Sequence, residues 1–203
     1  MTIGYFQGKE RHLYFDLTDQ MFRQRAIVHG ERMGQTAKIE DGWELDAFDA
    51  FDPLYVVALD KSRRCVKGAF RYLPTTGPTV LKSAFGRQFD PPANIDSPLI
   101  WECTRFTIAP DAPRSLTRAG ACRTTVELMM AACALGLEAR IAQTMGFLRC
   151  SASRRYRRIG WAPEIISVSE TGLAAGLWDI SERALAAMID RHGFAPVIKH
   201  ARR

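Results

Sequence analysis

The chain has 203 residues, a mass of 22.8 kDa and 47% hydrophobic residues, enough apolar content to bury a core within one moderately large domain over 1–203. Lysine and arginine outnumber aspartate and glutamate by 28 to 22, giving a net charge of +6 and a pI near 9.3, a balance that favours an anionic partner: nucleic acid, an anionic membrane, a nucleotide-bearing substrate or an acidic protein. No apolar run approaches the roughly eighteen residues of a membrane span, the first residues lack the pattern of a secretory leader, and five cysteines without C-x-x-C spacing argue against a disulfide framework or a zinc site, so the chain reads as cytoplasmic, with reduced and mostly buried thiols.

The first predicted helix covers 16–29, with Asp16 as its cap and Asp19 in its first turn. Leu17, Met21, Arg25 and Val28 recur on one stripe, and His29 follows one turn after Arg25. An arginine on an apolar stripe either snorkels to water or is buried and needs carboxylates. Gly30 breaks the helix, and a polar, irregular stretch to residue 52 carries Glu44, Asp46, Asp49 and Asp52 among aromatic residues. These four are either a solvated turn or the acidic partners of buried arginines.

A continuous apolar strand is predicted over 54–59 and its return over 65–73, a hairpin in which Gly68 marks a close approach of another backbone or a ligand. Arg71 lies near the end of the return strand. Pro74-Thr75-Thr76-Gly77-Pro78 stops it, and a Pro-rich loop over 89–98 leads to the central strand, 99–108. That strand is rich in β-formers yet holds Glu102 and Arg105 in its middle, where burial demands partners. Regular alternation places Glu102 with Ile100, Thr104 and Phe106, and Arg105 opposite with Trp101 and Cys103. Only a bulge would bring both charges to one side.

Val126, Met129, Met130, Cys133 and Leu137 then follow helical spacing, with a capping box from Thr124 and Glu127 and an end at Gly136. A strand is expected over 139–144, a basic helix over 151–159, a strand over 164–168, and a helix over 180–192 stopped by Gly193. The order predicts a mixed α/β sheet flanked by helices. Arg149, Arg154, Arg155, Arg157 and Arg158 crowd the basic helix, with Tyr156 the one aromatic among them. They form either a solvated face or a docking patch for phosphate or an acidic carrier; no nucleic-acid-binding motif accompanies them.

Taken together, Arg25, Asp46 and Asp49, Arg71 with Leu73-Pro74-Thr75-Thr76-Gly77-Pro78, Leu81 and Phe85, and Ile100-Trp101-Glu102-Cys103-Thr104-Arg105-Phe106 resemble, in order and spacing, the acyl-homoserine-lactone synthases of bacterial quorum sensing. The resemblance covers roughly residues 20 to 110. It implies a GNAT-like acyltransferase fold, with a pantetheine arm held where the central strand parts from the next. It also implies S-adenosylmethionine and an acyl-CoA or acyl-carrier-protein thioester as substrates, with no resident cofactor or metal. Glu102 is then the candidate base, with Arg71 and Arg105 beside it. Arg25, Arg71 and Arg105 are expected to knit to Asp46, Asp49 and Glu102, holding the N-terminal segment over the site, while Phe85, Thr104 and Phe106 line the substrates. The five arginines of the basic helix become a docking face for an acidic acyl carrier protein. His29 and Gln35 stand where the family has a phenylalanine and a tryptophan that form the acceptor pocket. Trp43 offers some of the missing bulk, and an acyltransferase of the same fold with another amine acceptor is the alternative.

Overall fold

The computed structural model describes residues 1–32, 39–90 and 95–201. In chain order it contains β1 (Thr2–Gln7), α1 (Phe15–Arg25), a short ribbon of β2 (Ile39–Glu40) and β3 (Trp43–Glu44), the hairpin β4 (Leu54–Leu59) and β5 (Val66–Pro74), and β6 (Phe89–Asp90). The second half supplies β7 (Ile100–Ile108), α2 (Arg123–Glu138), β8 (Gln143–Arg149), α3 (Ser153–Ile159), β9 (Glu164–Ser169), β10 (Leu173–Asp179), α4 (Glu182–His192) and β11 (Ile198–His200). Nine of the strands form one mixed sheet in the order β11-β1-β4-β5-β7-β8-β10-β9-β6. Neighbours run antiparallel except β1 with β11 and β7 with β8.

Both faces of the sheet are covered, and β4 shows why its sequence is apolar throughout. Tyr55, Val57 and Leu59 pack under Met21 and Phe22 of α1, while Val56 and Ala58 face the core that α2 and α4 close on the other side. A strand buried on both faces loses the polar alternation of a one-sided strand. Beyond α1, the segment between β5 and β7 covers the first face, where Leu81 and Phe89 meet Met145 and Ala175. Gly68 is the predicted point of close approach. A Cβ there would stand 2.8 Å from the carbonyl oxygen of Thr107 and 3.0 Å from Leu128.

Several boundaries differ from those expected. α1 begins on Tyr14 without a side-chain cap, leaving Asp16 in the first turn, and beyond Arg25 the chain widens into a π-helical turn over Ala26–Arg32. α2 is likewise uncapped by a side chain: Glu127 instead meets Arg123 at 3.1 Å. The helix continues through Gly136, whose missing Cβ makes room for Ile180 at 3.0 Å. Because α2 runs on to Glu138, the strand expected over 139–144 lies further along, at β8. β1, β10 and β11 lie where the sequence signals no element, and β2, β3 and β6 lie in stretches it signals as irregular. The thiols are more exposed than expected: Cys65 and Cys150 are at the surface and Cys133 alone is fully buried.

Candidate active site

β7 carries a bulge at its charged centre. Against β5, Ala69 pairs with Thr107 and Arg71 with Thr104, so two steps on β5 match three on β7. Arg105 takes up the extra residue in the left-handed region, at φ +53°, a conformation that usually disfavours side chains. The parity of the strand changes there. Phe106 turns to the face of Trp101 and Cys103, stacking on Phe70 at 6.0 Å. Arg105 turns to the opposite face, beside Thr104 and Arg71.

On that face three guanidiniums meet three carboxylates. Arg25 donates from Nε to Glu44 at 2.6 Å and from both terminal nitrogens to Asp49 at 2.9 Å. Arg71 donates bidentately to Asp46 at 2.5 and 2.9 Å and from Nε to Thr104 at 3.1 Å, and lies 2.9 Å from Asp49. Arg105 grips Glu44 at 2.7 Å and Asp46 at 2.9 Å. Tyr55 adds a hydroxyl donor to Asp49 at 2.8 Å. Bidentate, charge-assisted bonds are what make buried ions tolerable. Arg25, Arg71, Glu44 and Asp49 are sealed, whereas the side chains of Arg105 and Asp46 retain 19% and 17% exposure and form the open edge. Burial alone would raise the Asp49 carboxyl; the guanidiniums of Arg25 and Arg71 more than reverse it, and hold it well below the aspartate range.

Glu102 is fully buried on the same side of β7 but does not bind an arginine. Its two oxygens accept the main-chain N–H groups of Val80 and Leu81, both at 2.8 Å. Burial pushes its carboxyl above the ordinary glutamate range, and those two hydrogen bonds together with the charge of Arg71 only partly offset the shift. Beside it the sheet opens. β7 and β8 pair from Ile100 with Gln143 to Cys103 with Gly146, and their pairing ends there, at the height of the bulge. On the helix side of this gap a small cavity lies among Cys103, Phe106, Met129, Ala132, Thr144 and Gly146. Burial, then the charge of Glu102, raises the Cys103 thiol far above its ordinary value.

A parted pair of parallel strands flanked by an ion lattice on one face and an apolar cavity on the other suits the joining of two substrates across a sheet. A model of the autoinducer synthase family matches residues 10–190. The chain belongs to that family. An acyl-homoserine-lactone synthase of Rhizobium etli is 41% identical over 181 residues, 85% of this chain and 83% of that protein. The solved structure of a CoA-dependent acyl-homoserine lactone synthase, BjaI, with SAM and isopentyl-CoA, is similar with a TM-score of 0.83 at 28% identity, covering 100% of this chain and 94% of that one. The GNAT-like character of the fold is seen in a looser likeness, TM-score 0.53 at 11% identity, to a putative N-acetyltransferase from Lactobacillus plantarum, over 89% of this chain and 100% of that one.

Within this autoinducer synthase fold, Arg25, Arg71, Arg105, Asp46, Asp49 and Thr104 come together as one cluster. The expected tie between the arginines and Glu102 does not form. Glu44 takes that place, because β3 lays it between Arg25 and Arg105, while Glu102 organises the 79–85 segment. By sequence Glu44 is only one of four candidate acids. Phe106 faces the cavity rather than Glu102, as the bulge requires. Phe85 packs edge-on against Phe147 of β8 at 4.9 Å, next to the opening. His29 is buried in the π-helical turn, and Gln35 lies outside the described residues. Trp43 packs on Phe22 of α1 at 5.5 Å and donates to Asp19 at 2.9 Å. Arg149, Arg154, Arg155, Arg157 and Arg158 are all exposed. Among the described residues no group of three histidines, cysteines or carboxylates is placed to hold a metal ion, and no helix is long and apolar enough to cross a membrane.

Proposed function

We propose that this chain is an acyl-homoserine-lactone synthase acting as a single domain, joining the acyl group of a CoA or acyl-carrier-protein thioester to the amine of S-adenosylmethionine and then closing the lactone. The observation that carries the reading is the opening between β7 and β8 beside Glu102. A thioester laid in that opening would present its carbonyl to the lattice face and its acyl chain to the apolar cavity. Membership of the autoinducer synthase family and the SAM and isopentyl-CoA held by BjaI support the same pair of substrates.

The chemistry has two bond exchanges. The α-ammonium of S-adenosylmethionine gives a proton to Glu102, directly or through a water, and the freed amine attacks the thioester carbon. The tetrahedral oxyanion is held by main-chain N–H groups where β8 has left β7, and collapses to the amide with loss of the carrier thiolate, which takes up the second proton shed by the attacking nitrogen. The methionyl carboxylate then displaces the sulfonium, forming the ring C–O bond and releasing neutral methylthioadenosine. A carboxyl raised by burial is a stronger base than one in water, and such proton transfer contributes about 10²–10⁴-fold. Arg71, Arg105 and Thr104 fix the wall that receives the acceptor, Arg25, Asp46 and Asp49 secure the N-terminal segment to it, and His29 shapes the acceptor side. Phe85 and Phe106 flank the thioester. The exposed arginines of α3 and Arg149 dock the anionic carrier.

Incubating the protein with S-adenosylmethionine and panels of acyl-CoA and acyl-carrier-protein thioesters tests this. Acyl-homoserine lactone and methylthioadenosine in equal amounts are expected. An amide without methylthioadenosine would point to another acceptor and would overturn the synthase reading.

A further inference from the structure

The far end of the cavity between β7, β8 and α2 is closed by Tyr156, Trp161 and Trp178, and these rings are anchored. Trp178 donates its indole N–H to the carbonyl of Trp161 at 3.2 Å, and Trp161 donates its own to the carbonyl of Asp179 at 2.8 Å. Both indoles are 5% exposed. Tyr156 meets Trp178 edge-on at 5.2 Å. Gly146 admits the Trp178 ring against the β8 backbone, since a Cβ at that position would stand 3.3 Å from Trp178 Cζ3. With its polar N–H groups bound to the main chain, the double-indole floor offers the cavity only apolar surface.

The space beside these rings is about 50 Å³ and opens on one side. At about 10–15 Å³ of occupied space for each water-sized group, it takes roughly four methylene-sized groups. A longer chain would have to move an indole out of a close-packed core and break its hydrogen bond. Resting on the synthase reading above, we infer that the donor is a short acyl thioester of about four or five carbons, and that Trp178, backed by Trp161 and admitted by Gly146, sets the upper length.

The test is the chain-length profile of the full chain with S-adenosylmethionine and butanoyl-, isovaleryl-, octanoyl- and dodecanoyl-CoA, read as kcat/KM from methylthioadenosine release and repeated with the matching carrier-protein thioesters. The short donors are expected to exceed octanoyl by at least about tenfold, since each methylene that a pocket cannot place changes selectivity by about that factor or more. In Trp178→Ala the octanoyl-to-butanoyl ratio should rise at least about tenfold, and in the milder Trp178→Phe by a smaller factor in the same direction. A wild-type optimum at eight or more carbons overturns the length limit and leaves the synthase reading intact, and so does an unchanged ratio in both variants. Release of methylthioadenosine with no donor of either kind overturns the synthase reading, and the length limit with it.

Discussion

Glu102 and Asp49 are both buried carboxylates, and their surroundings drive them in opposite directions. Asp49 is stabilised as an anion by two guanidiniums, a tyrosine hydroxyl and the main-chain N–H of Asp46, so its unfolded form takes up a proton more readily than its folded form. Its contribution to stability is therefore complete above the ordinary aspartate value of about 3.9 and is lost as pH falls below it. Urea midpoints should drop between about pH 5 and pH 3, and Asp49→Asn, less stable at neutral pH, should flatten that dependence. Glu102, raised by burial, has the reverse sign: it favours folding below the ordinary glutamate value of about 4.3 and loses that contribution as pH rises through its folded value. As a base it must be ionised, so the acid limb of the rate profile is expected above about 4.3. Glu102→Gln should lower methylthioadenosine release by about 10²-fold or more while circular dichroism reports a folded chain. Its amide nitrogen cannot accept, leaving one of the Val80 and Leu81 N–H groups unmet at about 1–3 kcal/mol. Unchanged turnover would remove Glu102 from the mechanism. Glu44 shows where reading by residue type stops short. Its acidity was plain, but nothing local singled it out from Asp46, Asp49 or Asp52, because its role depends on a two-residue ribbon pairing that no periodicity signals.

At the scale of elements, the bulge in β7 decides which residues form the site. The conflict between a buried strand and two charges was visible in the sequence, and so was the condition that only a bulge would bring both to one side; the bulge itself, at Arg105, was not, because arginine has no preference for positive φ. Arg105→Gly should keep the bulge and lose the ion pairs, whereas Arg105→Val loses the pairs and also strains the backbone. The valine variant is expected to be less stable by about 1–2 kcal/mol, read from denaturant midpoints. β10 failed to stand out, and β8 was placed too early, for a related reason. Leu173-Ala174-Ala175-Gly176-Leu177-Trp178 and Thr144-Met145-Gly146-Phe147 are poor in β-branched residues, and their small side chains make sense only beside Pro163 and Trp178, which a Cβ at Gly176 or Gly146 would strike. The hairpin, the basic helix and the helix closed by Gly193 at φ +77° were legible because their determinants are local.

Across the whole molecule, the net charge of +6 is unevenly used. The three arginines of the ion lattice are balanced by three carboxylates, so the lattice contributes nothing to the surplus, whereas Arg149 and the four arginines of α3 are exposed. Tyr156, on the inner side of the same helix, touches Trp178, which places the positive face one residue's depth from the cavity. Reversing Arg154 and Arg157 together to glutamate should raise KM for an acyl-carrier-protein thioester by about tenfold with kcat little changed, and should reduce its dependence on salt, as expected for a screened docking contact. An unaffected KM would place carrier docking elsewhere. A mixed sheet flanked by helices could be read from the chain, although β1, β10 and β11 could not; the parting of β7 from β8 followed from the family resemblance alone, since it arises from where two distant segments stop pairing.

The change of parity in β7 also limits how this protein can vary. Upstream of Arg105 the odd-numbered residues Trp101 and Cys103 look toward the helices; downstream the even-numbered Phe106 and Ile108 do so. Inserting or deleting one residue on either side would slide every neighbour on that side to the wrong surface, whereas changes made in twos would leave both halves facing as before. A lineage altering this strand is therefore confined to even steps, with the arginine as the fixed point from which they are counted.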